Sequence, residues 1–206
     1  MSLAEETRDH PARRTIAPET DFYVVPLEQA PERIREITPR LLELMALAGG
    51  DCFVAGGCLR DAMLGQDPKD IDLYFSAWRT WTEAPERLVA VGSIVERDDC
   101  FRTVVRHPSI GLVDLLYSQG DEPLWKIRKF DFIACCAALH PNGFAFHRLW
   151  REQVHAGVLA FNACPNPAKT IKRLDRFQER GWTIRPDDLA VLLDVAINAP
   201  DGNEYF

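Results

Sequence analysis

Asp70 and Asp72 stand one residue apart in the run Asp70-Ile71-Asp72-Leu73-Tyr74-Phe75, shortly after Pro68. The apolar and aromatic end of this run favours a strand. Side chains alternate faces along a strand, so the two carboxylates point one way and Ile71 and Leu73 the other. Adjacent carboxylates repel, and one is hard to ionise unless a cation lies between them. A hard divalent ion, Mg²⁺ or Mn²⁺, held by the two carboxylates and by substrate phosphates resolves the conflict. Two such ions could clamp the attacking and leaving oxygens of a phosphoryl or nucleotidyl displacement. Taken alone, the pair also fits two solvated residues at the start of a strand.

What precedes the pair narrows the choice. The apolar run Cys52-Phe53-Val54-Ala55 meets Gly56 and Gly57, and a helix-like segment with Arg60 and Asp61 follows. Backbone amides at such a turn can approach a triphosphate, and the start of a helix favours anions. Around this centre the sequence suggests an α+β domain: a small mixed or antiparallel sheet flanked by helices, with a short C-terminal helical extension. Thr38-Pro39 reads as the start of a helix over Arg40–Ala48, closed by Gly49-Gly50. Strands are expected at 52–55, 70–75, 94–97, 101–106 and 111–117. Helices are expected at 57–64 and 77–91, with Pro85 as a break or start. The run Phe130–Leu139 reads as an apolar helix with an exit turn at Pro141-Asn142-Gly143. Asn166-Pro167 opens a helix stopped by Gly181, with Ile171, Leu174 and Phe177 as its buried stripe. Leu189–Ile197 forms the last helix, and Asp201–Phe206 reads as loose.

The string Gly56-Gly57-x-x-Arg60-Asp61-x-x-Leu64-Gly65, followed by Asp70-x-Asp72, resembles the head domain of the tRNA nucleotidyltransferase (CCA-adding enzyme) and bacterial poly(A) polymerase family. That family belongs to the DNA polymerase β-like nucleotidyltransferases. Phe101–Val105 and Val113–Leu116 resemble its following strand pair. Arg128–Ala137 resembles a degenerate R-R-D-F-T-x-N-A segment, and Gly157-Val158-Leu159 with the basic helix ending at Arg180-Gly181-Trp182 resembles the neck entry. The likeness spans roughly residues 40 to 185. Two departures stand out. Asn166–Arg173 lacks the acidic pair of the neck's base-selecting run, and Cys135 or Cys136 replaces an Asn. With no long helical body in 206 residues, a minimal version of the activity is expected.

Residues 1–20, polar and charged, read as disordered; the resemblance implies a nucleotidyltransferase head over 21–150 and a neck-like extension over 151–206. It implies metal-dependent transfer of a nucleotide from a nucleoside triphosphate to an acceptor hydroxyl, here an RNA 3′ end. A small-molecule or protein acceptor is the alternative, and a degenerate nucleotide- or RNA-binding module a third. Catalysis falls to Asp70, Asp72 and Asp114, with Asp70 and Asp72 as metal ligands. Asp114 interrupts the apolar run Val113–Leu116, where a buried charge needs a metal or a partner such as Arg102 or Arg106. Nucleotide binding falls to Gly56, Gly57, Arg60, Arg128, Lys129, Lys169 and Arg173, with Arg176 near the base or an RNA backbone. Asp61 reads as orienting Arg60, and Asp131 as a helix cap.

Composition sets the outer bounds. Of the residues, 47% are hydrophobic, and no apolar run reaches the roughly 18 residues that a membrane span needs. The polar N-terminus lacks a signal region. Six cysteines, at 52, 58, 100, 135, 136 and 164, form no metal-type pair and read as free thiols of a cytoplasmic protein. The net charge of −7 argues against a generic nucleic-acid binder. Residues 125–185, however, carry 11 Lys plus Arg against 4 Asp plus Glu, a basic half beside an acidic one. The preferred triphosphate, self-association and a partner chain stay open.

Overall fold

A computed structural model describes residues 16–164 and 166–198. Its centre is a mostly antiparallel eight-stranded sheet, larger than the sequence suggests. The strands are β1 (Phe22–Val25), β2 (Phe53–Ala55), β3 (Asp70–Phe75), β4 (Ile94–Asp99), β5 (Arg102–His107), β6 (Gly111–Tyr117), β7 (Ala137–His140) and β8 (Gly143–His147), ordered β1-β8-β7-β2-β3-β6-β5-β4. Within this sheet the one parallel pair among the described residues is β3 with β6, which sets Asp72 directly opposite Asp114. A parallel pair needs a long crossover. Here that connection holds helix α3 (Trp78–Ala90) and the antiparallel strands β4 and β5.

The alternation in β3 decides which face is which. Ile71, Leu73 and Phe75 enter the main core with Val113 and Leu115 of β6, under α1 (Glu32–Ala48) and α3. The opposite face carries Asp70, Asp72 and Tyr74. Tyr74 joins a smaller core with Phe53, Ile127 and Ala17, under α4 (Pro123–Ile127). The acidic end of β3 lies beyond this cover, with Asp70 exposed. Helix α2 (Gly57–Met63) follows β2 directly. After α5 (Trp150–Ala156) come the small parallel pair β9 (Val158–Leu159) and β10 (Thr183–Ile184), enclosing α6 (Pro167–Gln178), and then α7 (Pro186–Asn198).

Three local expectations need correction. Helix α1 starts at Glu32, and Pro39 lies inside it. Thr38 does not cap it, because its hydroxyl donates to the Ile34 carbonyl within the helix at 2.7 Å. Pro85 likewise sits inside α3 and breaks nothing. Phe130–Leu139 is not a helix: Ile133–Cys135 form one 3-10 turn and the chain continues into β7. That stretch is buried on both sides of the sheet, so its apolar run lacks the alternation that betrays a strand. Its exit turn at Pro141-Asn142-Gly143 is a hairpin into β8. The segment expected to be disordered, 1–20, lies mostly outside the described residues. Its described end packs against the body, with Ala17 buried and exchanging backbone and side-chain hydrogen bonds with Arg128. Asp201–Phe206 lies outside the described residues.

Candidate active site

Where β2 ends, Gly56 takes φ +91°, a conformation that disfavours any residue with a Cβ. A Cβ built there would stand 3.7 Å from Asp72 Oδ2 and 3.6 Å from the Phe130 ring. The glycine turn therefore lies directly against the carboxylate. The next residue, Gly57, opens α2, and a Cβ on it would meet the Arg60 guanidinium at 3.4 Å. Together these elements edge a cleft of about 200 Å³. Asp70, Asp72, Asp131 and Arg173 line it, as do Arg176 and Arg180. Tyr74, Phe130, Phe177 and Cys135 supply the less polar wall.

Neither Asp70 nor Asp72 has a hydrogen-bond or ion-pair partner among the described residues. Burial, then the charges of Asp70 and Asp114, push the Asp72 carboxyl up to about 7, with Arg102 and Arg173 opposing. Hard oxygen donors without partners, sharing a face beside a glycine cradle, fit a divalent cation shared with phosphates. No three His, Cys, Asp or Glu side chains converge as a metal site among the described residues. The side-chain donors available here to such an ion are the two carboxylates of Asp70 and Asp72. Asp114 is buried and accepts from Arg102 Nη2 at 2.5 Å, the ion pair that the sequence left open.

Arg60 is nearly buried. Its Nε donates to Asp61 Oδ1 at 2.8 Å, its Nη1 to Cys135 Sγ at 3.5 Å, and its guanidinium lies 5.0 Å from the Phe177 ring centroid and 5.9 Å from that of Trp182. Asp61 thus orients Arg60, and Arg60 fastens α6 to α2. A second fastening joins Arg173 of α6 to Asp131. Asp131 caps no helix; it lies in the loop before the 3-10 turn, accepting also from its neighbour's amide, Phe132 N–H, at 3.1 Å.

The structure does not bring every expected nucleotide ligand to the cleft. Arg128 faces the N-terminal segment, donating to the Ala17 carbonyl at 2.7 Å and pairing with Glu19. Lys129 donates to Asp121 Oδ1 at 2.7 Å. Lys169 lies on the first turn of α6, whose cap is Asn166, and does not line the cleft. Sequence reasoning missed Arg180, Tyr74, Phe130 and Phe177 as cleft residues. Helical spacing held a signal for some of them, since 173, 176, 177 and 180 fall on one face of a helix. Lys126 does not line the cleft; its Nζ sits 4.8 Å from the Tyr74 ring centroid and donates to Ser118 Oγ at 2.7 Å.

Solved structures of similar shape include CCA-adding enzymes. One in complex with CTP has a TM-score of 0.59 at 17% identity, over 86% of this chain and 47% of that one. One in complex with ATP gives 0.57 at 21% identity, over 84% and 46%. The Thermotoga maritima CCA-adding enzyme complexed with tRNA gives 0.56 at 18% identity, over 84% and 45%. At such identities the likeness establishes a nucleotidyltransferase-like fold, and the chain spans a little under half the length of these structures. No protein of curated function matches the sequence. The family described as Gabija anti-defense 2 family protein matches residues 30–155, from the start of α1 through β8 to α5 and over every strand that builds the cleft, and the chain belongs to that family.

Proposed function

We propose that this protein is a metal-dependent nucleotidyltransferase that moves a nucleotide from a nucleoside triphosphate to an acceptor hydroxyl. The observation that supports this most directly is the contact between the positive-φ turn at Gly56 and the partnerless Asp72 carboxylate. A triphosphate needs close backbone approach and a neutralising cation at the same spot: the turn offers the first, and a divalent ion on the carboxylate would supply the second. The Gly56-Gly57 turn would cradle the phosphates, with Arg176 and Arg180 across the cleft. Phe130 and Phe177 would shield the nucleoside from water. Asp70 and Asp72 would hold Mg²⁺ or Mn²⁺, which when bound neutralises charge on the phosphates. In the reaction the acceptor oxygen bonds to the α-phosphorus, the bond to the β-phosphate oxygen breaks, and pyrophosphate leaves. The hydroxyl proton passes to solvent at the open end of the sheet. Positioning and electrostatics carry such a reaction.

An RNA 3′ end is the first acceptor, by likeness to CCA-adding enzymes. The family description favours a second reading, in which the acceptor is a component of Gabija defence and its modification disables that defence. One experiment separates them: each labelled nucleoside triphosphate with Mg²⁺ or Mn²⁺, offered total RNA or purified Gabija proteins, beside Asp70→Ala. Label entering RNA supports the first reading and label entering protein the second. Triphosphate binding without transfer to either, in wild type as in the variant, would overturn the enzymatic reading and leave a binding module.

A further inference from the structure

Resting on that reading, we propose that the Arg102 guanidinium takes the place of a second divalent cation, so that the site holds one ion per chain and not two. The argument begins with register. Asp72 and Asp114 face each other on parallel neighbours, β3 and β6. On the far side of β6, Arg102 of β5 pairs with Leu116, which shares a face with Asp114. From there the guanidinium reaches back along β6 to Asp114 Oδ2 at 2.5 Å.

The consequence for metal binding is electrostatic. In a two-ion site, acidic side chains surround a pair of cations roughly 4 Å apart. Here the third carboxylate already carries a fixed positive charge. A divalent ion at Asp114 would have to displace that guanidinium or lie against it, and like charges in a half-buried place repel strongly. The absence of a three-ligand metal cluster among the described residues agrees with this. Arg102 and Asp114 do not line the cleft that holds Asp70 and Asp72, so the pair acts through its charge and not by touching substrate. Arg102 is therefore a positioning residue: it holds Asp114 and keeps the second cation out.

The test counts ions. Mn²⁺ binding is followed by electron paramagnetic resonance and calorimetry, with a saturating non-hydrolysable triphosphate analogue. Wild type binds one Mn²⁺ beyond the analogue control, Asp70→Ala loses it, and Arg102→Gln binds two. Arg102→Lys, which keeps the charge, stays at one. Asp114→Asn needs no change at Arg102, so it decides the matter if Arg102→Gln fails to fold. It should keep one ion with affinity within about twofold, because Asp114 is the partner of Arg102 and not a metal ligand. Two ions in wild type, a single ion in a folded Arg102→Gln, or a tenfold loss in Asp114→Asn would each overturn the inference. Those results leave the nucleotidyltransferase reading standing. Absence of any Mn²⁺ or analogue binding by wild type would remove that reading and the inference with it.

Discussion

Replacing Arg173 by Met tests whether that residue fastens α6 to the head. Its partner, Asp131, has a side chain only 1% exposed, whereas Arg173 is 46% exposed. The two single substitutions should therefore be unequal. Arg173→Met strands a carboxylate whose remaining bond is to the Phe132 amide, and breaking a buried pair in this way costs about 3–5 kcal/mol. The half-exposed arginine places the expectation at the lower end, about 3 kcal/mol, or roughly 6–12 °C in Tm for a chain of this size. Asp131→Asn leaves an arginine that can hydrate itself and keeps an acceptor for the amide, so about 1 kcal/mol is expected. In the double variant no charge is stranded, and the cost returns to about 1 kcal/mol, a coupling near 3 kcal/mol. Urea titration at pH 7 of the four proteins measures this directly. Additive costs, or an Asp131→Asn more damaging than Arg173→Met, would refute the reasoning. Triphosphate affinity measured on the same four proteins separates the roles. If Arg173 also touches the nucleotide, affinity falls in the double variant although stability has recovered.

Three further outcomes follow from the site and its frame. Gly56→Ala, at φ +91° and against Asp72, should lower triphosphate affinity at least tenfold by calorimetry and cost about 1–2 kcal/mol in urea; Gly57→Ala, at an ordinary φ, should be milder on both measures. Asp70→Ala and Asp72→Ala should each abolish transfer on a denaturing gel. Both should melt in EDTA no lower than wild type by more than about 2 °C, because neither carboxylate has a partner to lose. Burial holds His147 down from its ordinary value near 6.5 to about 4, so the folded state resists the proton that the unfolded chain accepts. Its contribution is complete above pH 6.5 and is lost as pH falls toward 4, by about 3 kcal/mol in all. His147→Gln should flatten the urea stability profile over that window by about this amount.

The chemistry-bearing part of this fold was legible because its signals are local. Alternation from Asp70 to Phe75 announced both the strand and its polar face, and Gly56-Gly57 between an apolar run and a helical stretch announced the turn. The capped start of α6 at Asn166-Pro167 was equally plain. What failed to show in the sequence depends on long-range packing. Phe130–Leu139 looks helical because a strand covered on both faces loses its alternation. Pro39 looks like a helix start because nothing local reveals that residues 32–38 already form helix under the sheet. Arg128 and Lys129 sit in a motif-like run, yet Ala17 and Asp121 capture them, and neither partner is implied by the run itself.

The same distinction bears on the basic half of the chain. Read as a count, residues 125–185 suggest a surface for a polyanion. In the structure most of those charges are locally matched: Arg128 to Glu19, Lys126 and Lys129 to Asp121, Arg148 to Asp21, Arg173 to Asp131, Arg185 to Asp188. Four of these acids, Glu19, Asp21, Asp121 and Asp188, come from outside the tract, so the sequence asymmetry is largely undone by folding. The cations that reach the cleft without an acidic partner among the described ion pairs are Arg176 and Arg180. Two guanidinium groups lining the same cleft as Asp70 and Asp72 suit a compact triphosphate bound with a divalent ion better than a long RNA backbone. Binding of a long RNA through many phosphates would show a steep dependence on salt. The geometry instead favours a shallow one, with triphosphate affinity falling in Arg176→Ala and Arg180→Ala. On this argument the excess of Lys and Arg carries no weight in choosing the acceptor, and the choice between an RNA end and a defence component rests on the labelling experiment.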